Sequence, residues 1–212
     1  MHLRSIMAGE EDLRDMPRVV GVLSALLERV TERNDAAADA AAPTPASAFR
    51  ATTKPDISVR AYMARIARFA GCSPSCYVVA YIYLDRLLRR RRAPTVDSYS
   101  VHRLLITAVL AAVKFMDDIC YSNAYFAKVG GVSLQEMNYL EVDFLFAVGF
   151  DLNVSPEAFG HCCTVLRSEM LCLELERAPP MHCCLADQDD TPTTTTAPPA
   201  AAASSTQHQL AA

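Results

Sequence analysis

Residues 101 to 119 carry apolar side chains around nearly the whole circumference of a predicted helix. With 100° between successive residues, one side would carry Val101, Leu104, Leu105, Ala108, Ala112, Phe115 and Ile119. Nearly opposite that side would lie Ile106, Leu110 and Val113. A helix that is apolar almost all round is packed by neighbours on several faces. The pattern therefore predicts a buried central helix.

One charged residue, Lys114, interrupts the apolar pattern of this helix. Lysine is rarely buried unless its charge has a partner. The residues therefore leave two interpretations open. Either Lys114 shares a narrow exposed strip with Arg103 and Thr107, or a carboxylate holds its ammonium group.

Further amphipathic patterns predict helices on both sides of the central one. Pro17 opens residues 17–33, where apolar residues recur with helical spacing. Serine–proline pairs and a capping box mark three later helix starts, at Ser73, Ser133 and Ser155. No convincing stretch alternates with period two, and the predicted connections are short, so the sequence predicts an all-α fold.

The helical patterns and the biased composition of both ends divide the chain into six segments. We expect a disordered arm at 1–16, an N-terminal helix at 17–33, a flexible linker at 34–54, a helical core at 55–152, a C-terminal helical extension at 153–178 and a disordered Thr/Pro/Ala tail at 179–212. The linker and the tail are rich in small residues and proline, and the tail has too few large apolar groups to offset its ordering entropy.

Charge and cysteine content exclude several classes of protein. The net charge of −4 argues against a nucleic-acid-binding protein that relies on phosphate neutralisation. No apolar run approaches the thickness of a bilayer, and none follows a basic start, so we expect no membrane partner and no secretion signal. The eight cysteines have no regular spacing, which favours free thiols in a reducing compartment, the nucleus or the cytoplasm.

Residues 111–152, which read AAVKFMDDICYSNAYFAKVGGVSLQEMNYLEVDFLFAVGFDL, resemble the cyclin box, the five-helix kinase-binding fold of cyclins. Residues 96–118, VDSYSVHRLLITAVLAAVKFMDD, are similar to plant P/U-type cyclins, which resemble the phosphate-signalling cyclins of yeast. The resemblance covers about residues 17–177. It implies a five-helix cyclin box at 55–152 around the buried central helix, with one flanking helix on each side.

The same resemblance implies a function for two charged residues. Lys114 stands where the family has its kinase-contacting lysine, late in the third helix of the box. Glu141 stands where the family has the matching glutamate, in the fifth helix. The chain would then be a regulatory subunit that binds and activates a cyclin-dependent Ser/Thr protein kinase in cell-cycle control and cell division. A link to nutrient or phosphate signalling stays open.

A second candidate site consists of Val59, Arg60, Ala61, Tyr62 and Met63. Many cell-cycle cyclins carry Met-Arg-Ala-Ile-Leu at this place, a surface patch that docks substrates and inhibitors. Arg60 and Ala61 match that motif letter for letter, and the tryptophan usual later in the helix is absent. The resemblance thus makes the five residues a candidate substrate-docking patch.

Several patterns admit a structural as well as a functional interpretation. Lys114 and Glu141 could form an ion pair that only ties two helices together. Arg89 to Arg92 could be a nuclear-import signal, an anion site or a solvated helix end. The sequences His161–Cys163 and His182–Cys184 suggest zinc, but their spacing fits no zinc motif, and we expect no metal site.

Besides a kinase regulator, the two other classes of function to compare are an enzyme and a transcription adaptor. The sequence has no glycine-rich phosphate loop, nucleophile elbow or metal-ligand spacing, so we expect no catalytic residue, no cofactor and no small-molecule substrate. A cyclin-fold adaptor in transcription is the alternative function. Such adaptors are basic and carry a second helical repeat, whereas this chain is acidic and has no room for one.

Overall fold

A computed structural model describes residues 15–38, 47–90, 94–118 and 121–177. Within these ranges the chain contains helices and no strand, and the predicted all-α fold is confirmed. The helices are α1 (Met16–Ala38), α2 (Val59–Ala70), α3 (Pro74–Leu88), α4 (Val101–Met116), α5 (Asn123–Gly130), α6 (Leu134–Ala147) and α7 (Pro156–Arg177). The predicted tail and nearly all of the predicted arm lie outside the described residues.

The central helix is α4, and every residue from Leu104 to Val113 is buried. Helices α2, α3, α5 and α6 all pack against it, which explains why apolar residues are needed on several faces. The helix ends at Met116, earlier than predicted, and Asp117 is already extended. Two consecutive acidic residues, Asp117 and Asp118, disfavour further turns because they would lie at the negative end of the helix dipole.

The predicted helix starts lie where the serines indicated. The hydroxyl of Ser133 accepts a hydrogen bond from the Glu136 amide (3.0 Å), which is one half of the predicted capping box. The other half is not formed, because the Glu136 carboxylate instead accepts from Arg103 on α4. The Ser155 hydroxyl accepts from the Ala158 amide (3.2 Å) in the same way.

The segment predicted as a flexible linker, residues 34–54, differs from the structure at both of its ends. Helix α1 continues to Ala38, because Asn34 Nδ2 donates to the Val96 carbonyl (2.8 Å) and the Asp35 carboxylate accepts from the Ser98 amide (3.0 Å). Phe49 is buried in the core, with its ring edge-on to Phe144 at 6.3 Å. Such tertiary contacts override a linker-like composition.

The two flanking helices belong to the same hydrophobic core as the five between them. Val19 and Leu23 of α1 and Leu166 of α7 are buried in one continuous cluster with α4. Ion pairs at the surface add to this packing and are formed by Glu28 with Arg60 and by Arg29 with Glu169. Among the described residues, no helix has both the length and the apolar character needed to cross a bilayer.

Candidate functional site

Lys114 and Glu141 lie together where α4 emerges from the core against α6. Lys114 is in the last turn of α4 and its side chain is 36% exposed, whereas that of Glu141 is 15% exposed. Lys114 Nζ donates to Glu141 Oε1 at 2.6 Å. The ammonium group is therefore held by a carboxylate, the second of the two interpretations given above.

The alternative interpretation, an exposed strip of Arg103, Thr107 and Lys114, is wrong. Thr107 is fully buried, and its hydroxyl donates to the Arg103 carbonyl at 2.7 Å. A threonine that bonds to its own helix in this way needs no contact with solvent, so its polarity gave a false signal of exposure.

Asn123, the first residue of α5, holds the other side of Glu141. One N–H of Asn123 Nδ2 donates to Glu141 Oε2 at 2.7 Å, and the other donates to Asn138 Oδ1 at 2.8 Å. Sequence reasoning missed both asparagines. Asn138 could have been found, because it precedes Glu141 by three residues on α6 and so shares its face. No signal marked Asn123, which belongs to a different helix.

Exposed apolar side chains follow both residues of the ion pair along the chain. Phe115 follows Lys114 directly and is exposed. On α6, Val142 and Phe146 point away from the core, and Phe146 is 68% exposed. Its ring packs edge-on against Phe150 (5.1 Å), which is itself 58% exposed. Exposed aromatic groups around a paired charge are typical of a protein–protein interface.

The backbone after α6 is shaped to present Phe150. Gly149 and Phe150 both adopt left-handed conformations, with φ of 66° and 56°. A non-glycine residue in this region costs about 1–2 kcal/mol. The turn is fixed by the Phe150 amide, which donates to the Leu145 carbonyl at 2.9 Å. The fold thus tolerates strain at a residue whose aromatic side chain is exposed.

Comparison with known proteins gives the family. The Cyclin family model matches residues 17–152, which run from α1 to just beyond α6. The chain is 66% identical to Cyclin-P4-1 of Oryza sativa subsp. japonica over 184 residues, which cover 82% of this chain and 85% of that protein. The chain belongs to the cyclin family.

Further relatives of this cyclin come from another plant. Cyclin-U4-2 of Arabidopsis thaliana is 52% identical over 160 residues, covering 74% of this chain and 73% of its own length. Cyclin-U4-1 of the same species is 48% identical over 169 residues, covering 79% and 84%. The prediction of a plant P/U-type cyclin is confirmed, and family membership supports a regulatory role rather than a catalytic one. The match begins at α1, whereas we predicted that the box begins at residue 55.

The candidate docking patch of this cyclin is mostly buried. Val59, Tyr62 and Met63 face the core, and only Arg60 and Ala61 are exposed. The Tyr62 hydroxyl donates to the Gly130 carbonyl at 3.1 Å, and burial raises the pKa of that hydroxyl. The backbone amide of Arg60 donates to Glu28 on α1 (3.1 Å). A substrate-docking role for this segment stays a prediction.

The described arginines of the basic run have structural partners. Arg89 Nε pairs with Asp85 (2.8 Å) on the same helix. Arg90 donates to the Val148 carbonyl (2.7 Å), and its guanidinium lies within 3.2 Å of where a Cβ at Gly149 would be. The run thus helps to hold the end of α6. Arg91 and Arg92 lie outside the described residues, and a role in nuclear import stays a prediction.

The cysteines that suggested zinc pack into the core. Cys162 and Cys163 are buried on α7, and His161 beside them is exposed. The part of the chain that the structure describes holds no cluster of three or more potential metal ligands. The similar sequence His182–Cys184 lies outside the described residues.

Proposed function

We propose that this cyclin binds a cyclin-dependent Ser/Thr protein kinase as a one-to-one heterodimer, activates it, and acts in cell-cycle control and cell division. The observation that carries the proposal is the Lys114–Glu141 ion pair, which is partly exposed at the α4–α6 contact and is followed on both helices by exposed apolar residues, Phe115 and Val142.

The physical basis of activation is the state of the kinase C-helix. A protein kinase is active when the glutamate of this helix pairs with a lysine on a neighbouring strand. A surface that binds the paired state more tightly than the open state shifts the equilibrium by its differential affinity. This cyclin offers a rigid surface of that kind, because α4 and α6 are both anchored in the core.

The charged groups of Lys114 and Glu141 are suited to bind the C-terminal end of a helix in the kinase. Lys114 uses one N–H for Glu141 and keeps two donors for carbonyls of the partner. The C-terminal end of a helix has unpaired carbonyls and a negative partial charge, so it favours a cation. Each Glu141 oxygen retains a lone pair that can accept from backbone amides of the kinase.

Exposed aromatic side chains would supply the apolar part of the interface. Aromatic side chains are enriched among the residues that dominate binding energy, and Phe115 at the end of α4 and Phe146 and Phe150 near the end of α6 are all exposed. Burying them against a partner would also exclude water from the charges and strengthen their interactions. The polar pair would then determine orientation, while the aromatic groups provide affinity.

The test is co-purification of a plant cyclin-dependent kinase with the purified Lys114→Ala variant. Truncating one partner of a desolvated charge pair costs about 2–5 kcal/mol, so the variant should lose the kinase while its helical circular-dichroism spectrum is unchanged. Kinase binding equal to that of the unmodified protein would refute the proposal. A DNA shift assay run in parallel tests the transcription-adaptor alternative.

Arg103→Ala is the matched control for this experiment. Arg103 forms the other ion pair between α4 and α6, with Glu136 (Nε–Oε1 2.7 Å). It lies eleven residues earlier on α4, about 16 Å away along the helix axis. Loss of the kinase from this variant as well would point to a general disturbance of the α4–α6 contact.

The proposal includes a location in the nucleus or the cytoplasm. Cys72, Cys76 and Cys162 are buried as free thiols, which is consistent with a reducing compartment. A fluorescent fusion imaged in plant cells tests this. Signal confined to the secretory pathway would contradict it.

A further inference from the structure

The Asn123 amide has a defined orientation in the kinase-binding site. Both of its N–H groups are used, one on Glu141 Oε2 (2.7 Å) and one on Asn138 Oδ1 (2.8 Å). The reversed amide would set an oxygen against the Glu141 carboxylate, where two acceptors repel each other. The remaining atom, Oδ1, is buried and has no hydrogen-bond partner among the described residues. All the donor capacity of the side chain is thus directed at α6.

The two oxygens of Glu141 are consequently held by two different helices. Oε1 accepts from Lys114 on α4, and Oε2 accepts from Asn123 on α5. A carboxylate fixed at both oxygens cannot rotate, so the position of the Lys114 ammonium group is fixed with it. Without Asn123, Glu141 would have one restraint, and both charged groups could adopt several rotamers.

The position of Asn123 is itself rigid. It is the first residue of α5, directly after the N-cap Ser122. Buried Phe126 and Val129 anchor the helix in the core, so the start of α5 is fixed relative to α6. An amide placed in this way can orient its partner, because its own side chain has little freedom left to lose.

We propose that Asn123 is a positioning residue of the kinase-binding site, which acts by holding the Glu141 carboxylate in the orientation that presents Lys114 to the kinase. The inference rests on the proposed function of Lys114 and Glu141. Asn138 completes the network by accepting the second N–H of Asn123, and we assign it a supporting role because it is exposed.

Two substitutions separate positioning from folding. Asn123→Ala removes both hydrogen bonds. Asn123→Asp keeps the size of the side chain but replaces the donor with a carboxylate that repels Glu141. A carboxylate in the first turn of a helix is favoured by the helix dipole, which offsets part of the repulsion from Glu141 in Asn123→Asp. If Asn123 had only a structural role, its substitutions would lower kinase binding and folding stability together.

The experiment measures the Kd of the 212-residue cyclin for the co-purified kinase, together with the midpoint of thermal unfolding. We expect Asn123→Ala to weaken binding about three- to tenfold, because the Glu141 and Lys114 side chains would be freer in the unbound cyclin and would lose that freedom on binding. Asn123→Asp should weaken binding more than Asn123→Ala does, with an unfolding midpoint no lower than that of Asn123→Ala.

A double-mutant cycle with Glu141→Ala tests whether Asn123 acts through Glu141. We expect Asn123→Ala to have no further effect on Kd when Glu141 is already alanine. An equal effect in both backgrounds would overturn the inference, because Asn123 would then act independently.

Lys114→Ala distinguishes the failure of this inference from the failure of the proposed function. If Lys114→Ala weakens binding and neither substitution of Asn123 does, only the positioning role is refuted. If neither Lys114→Ala nor Asn123→Asp changes the Kd, the proposed function is refuted as well.

Discussion

Two ion pairs join α4 to α6, one between Arg103 and Glu136 and the other between Lys114 and Glu141. Their partners are partly exposed to a similar degree, with side-chain exposures of 24% and 33% in the first pair and 36% and 15% in the second. In both pairs the charged nitrogen and a carboxylate oxygen lie within hydrogen-bonding distance, and both pairs link the same two helices. Geometry alone would therefore give them the same role.

The surroundings of the two pairs are different. Glu136 lies in the first turn of α6, where the helix dipole stabilises its charge, and Arg103 provides a counter-ion. The second pair carries an additional donor, Asn123, and is directly followed on α4 by the exposed aromatic residue Phe115. An ion pair becomes a candidate binding site through the residues that lie beside it, and substitutions at each pair test that difference.

The largest effect is expected for Glu141→Ala. This change removes the acceptor of both Lys114 and Asn123, leaving two groups without their partner in a desolvated interface. Kinase binding should weaken by about 2–5 kcal/mol, and titration calorimetry with the purified kinase measures it. Glu136→Ala is the control and should bind the kinase normally. Equal losses in the two variants would show that the two pairs do not differ in function.

A smaller effect on binding is expected for Phe150→Asn. Asparagine tolerates the left-handed conformation that Phe150 adopts, so the strain of the turn is relieved while the contact with Phe146 is lost. The free energy of unfolding should change by less than about 1 kcal/mol, and the kinase should bind about tenfold more weakly. Urea denaturation and calorimetry check both values. Unchanged affinity would remove Phe150 from the interface.

The smallest effect is expected for Arg103→Ala, and it concerns stability alone. Partly exposed ion pairs contribute about 0–1 kcal/mol, so the free energy of unfolding should fall by no more than that. The affinity for the kinase should not change. Chemical denaturation measures the first quantity, and a clear loss of affinity would contradict the distinction between the two ion pairs.

The central helix and the helix starts could be predicted from the sequence because their causes are local. Apolar residues on all sides of α4 require neighbours on all sides, and a serine at the start of a helix caps its own backbone. Lys114 and Glu141 were assigned through the resemblance to cyclins. The ion pair they form agrees with one of the two interpretations of Lys114 that the sequence had left open.

The remaining features depend on contacts between distant residues. Asn123 reaches a carboxylate eighteen residues later, and Phe49 packs on a ring in α6, so neither has a local pattern. Tyr62 lies in a segment whose match to a docking motif indicated exposure, yet the fold buries its ring and pairs its hydroxyl with Gly130. Neither composition nor motif matching can predict contacts between residues that lie so far apart in the sequence.

The packing of α1 has a practical consequence for recombinant work. A fragment that begins at residue 55 would lack α1, and the surfaces of α2 and α3 that pack on this helix would be open to water. Such a fragment should aggregate or unfold when it is expressed. Truncations intended for co-crystallisation with a kinase should therefore begin ahead of Met16 and retain Phe49.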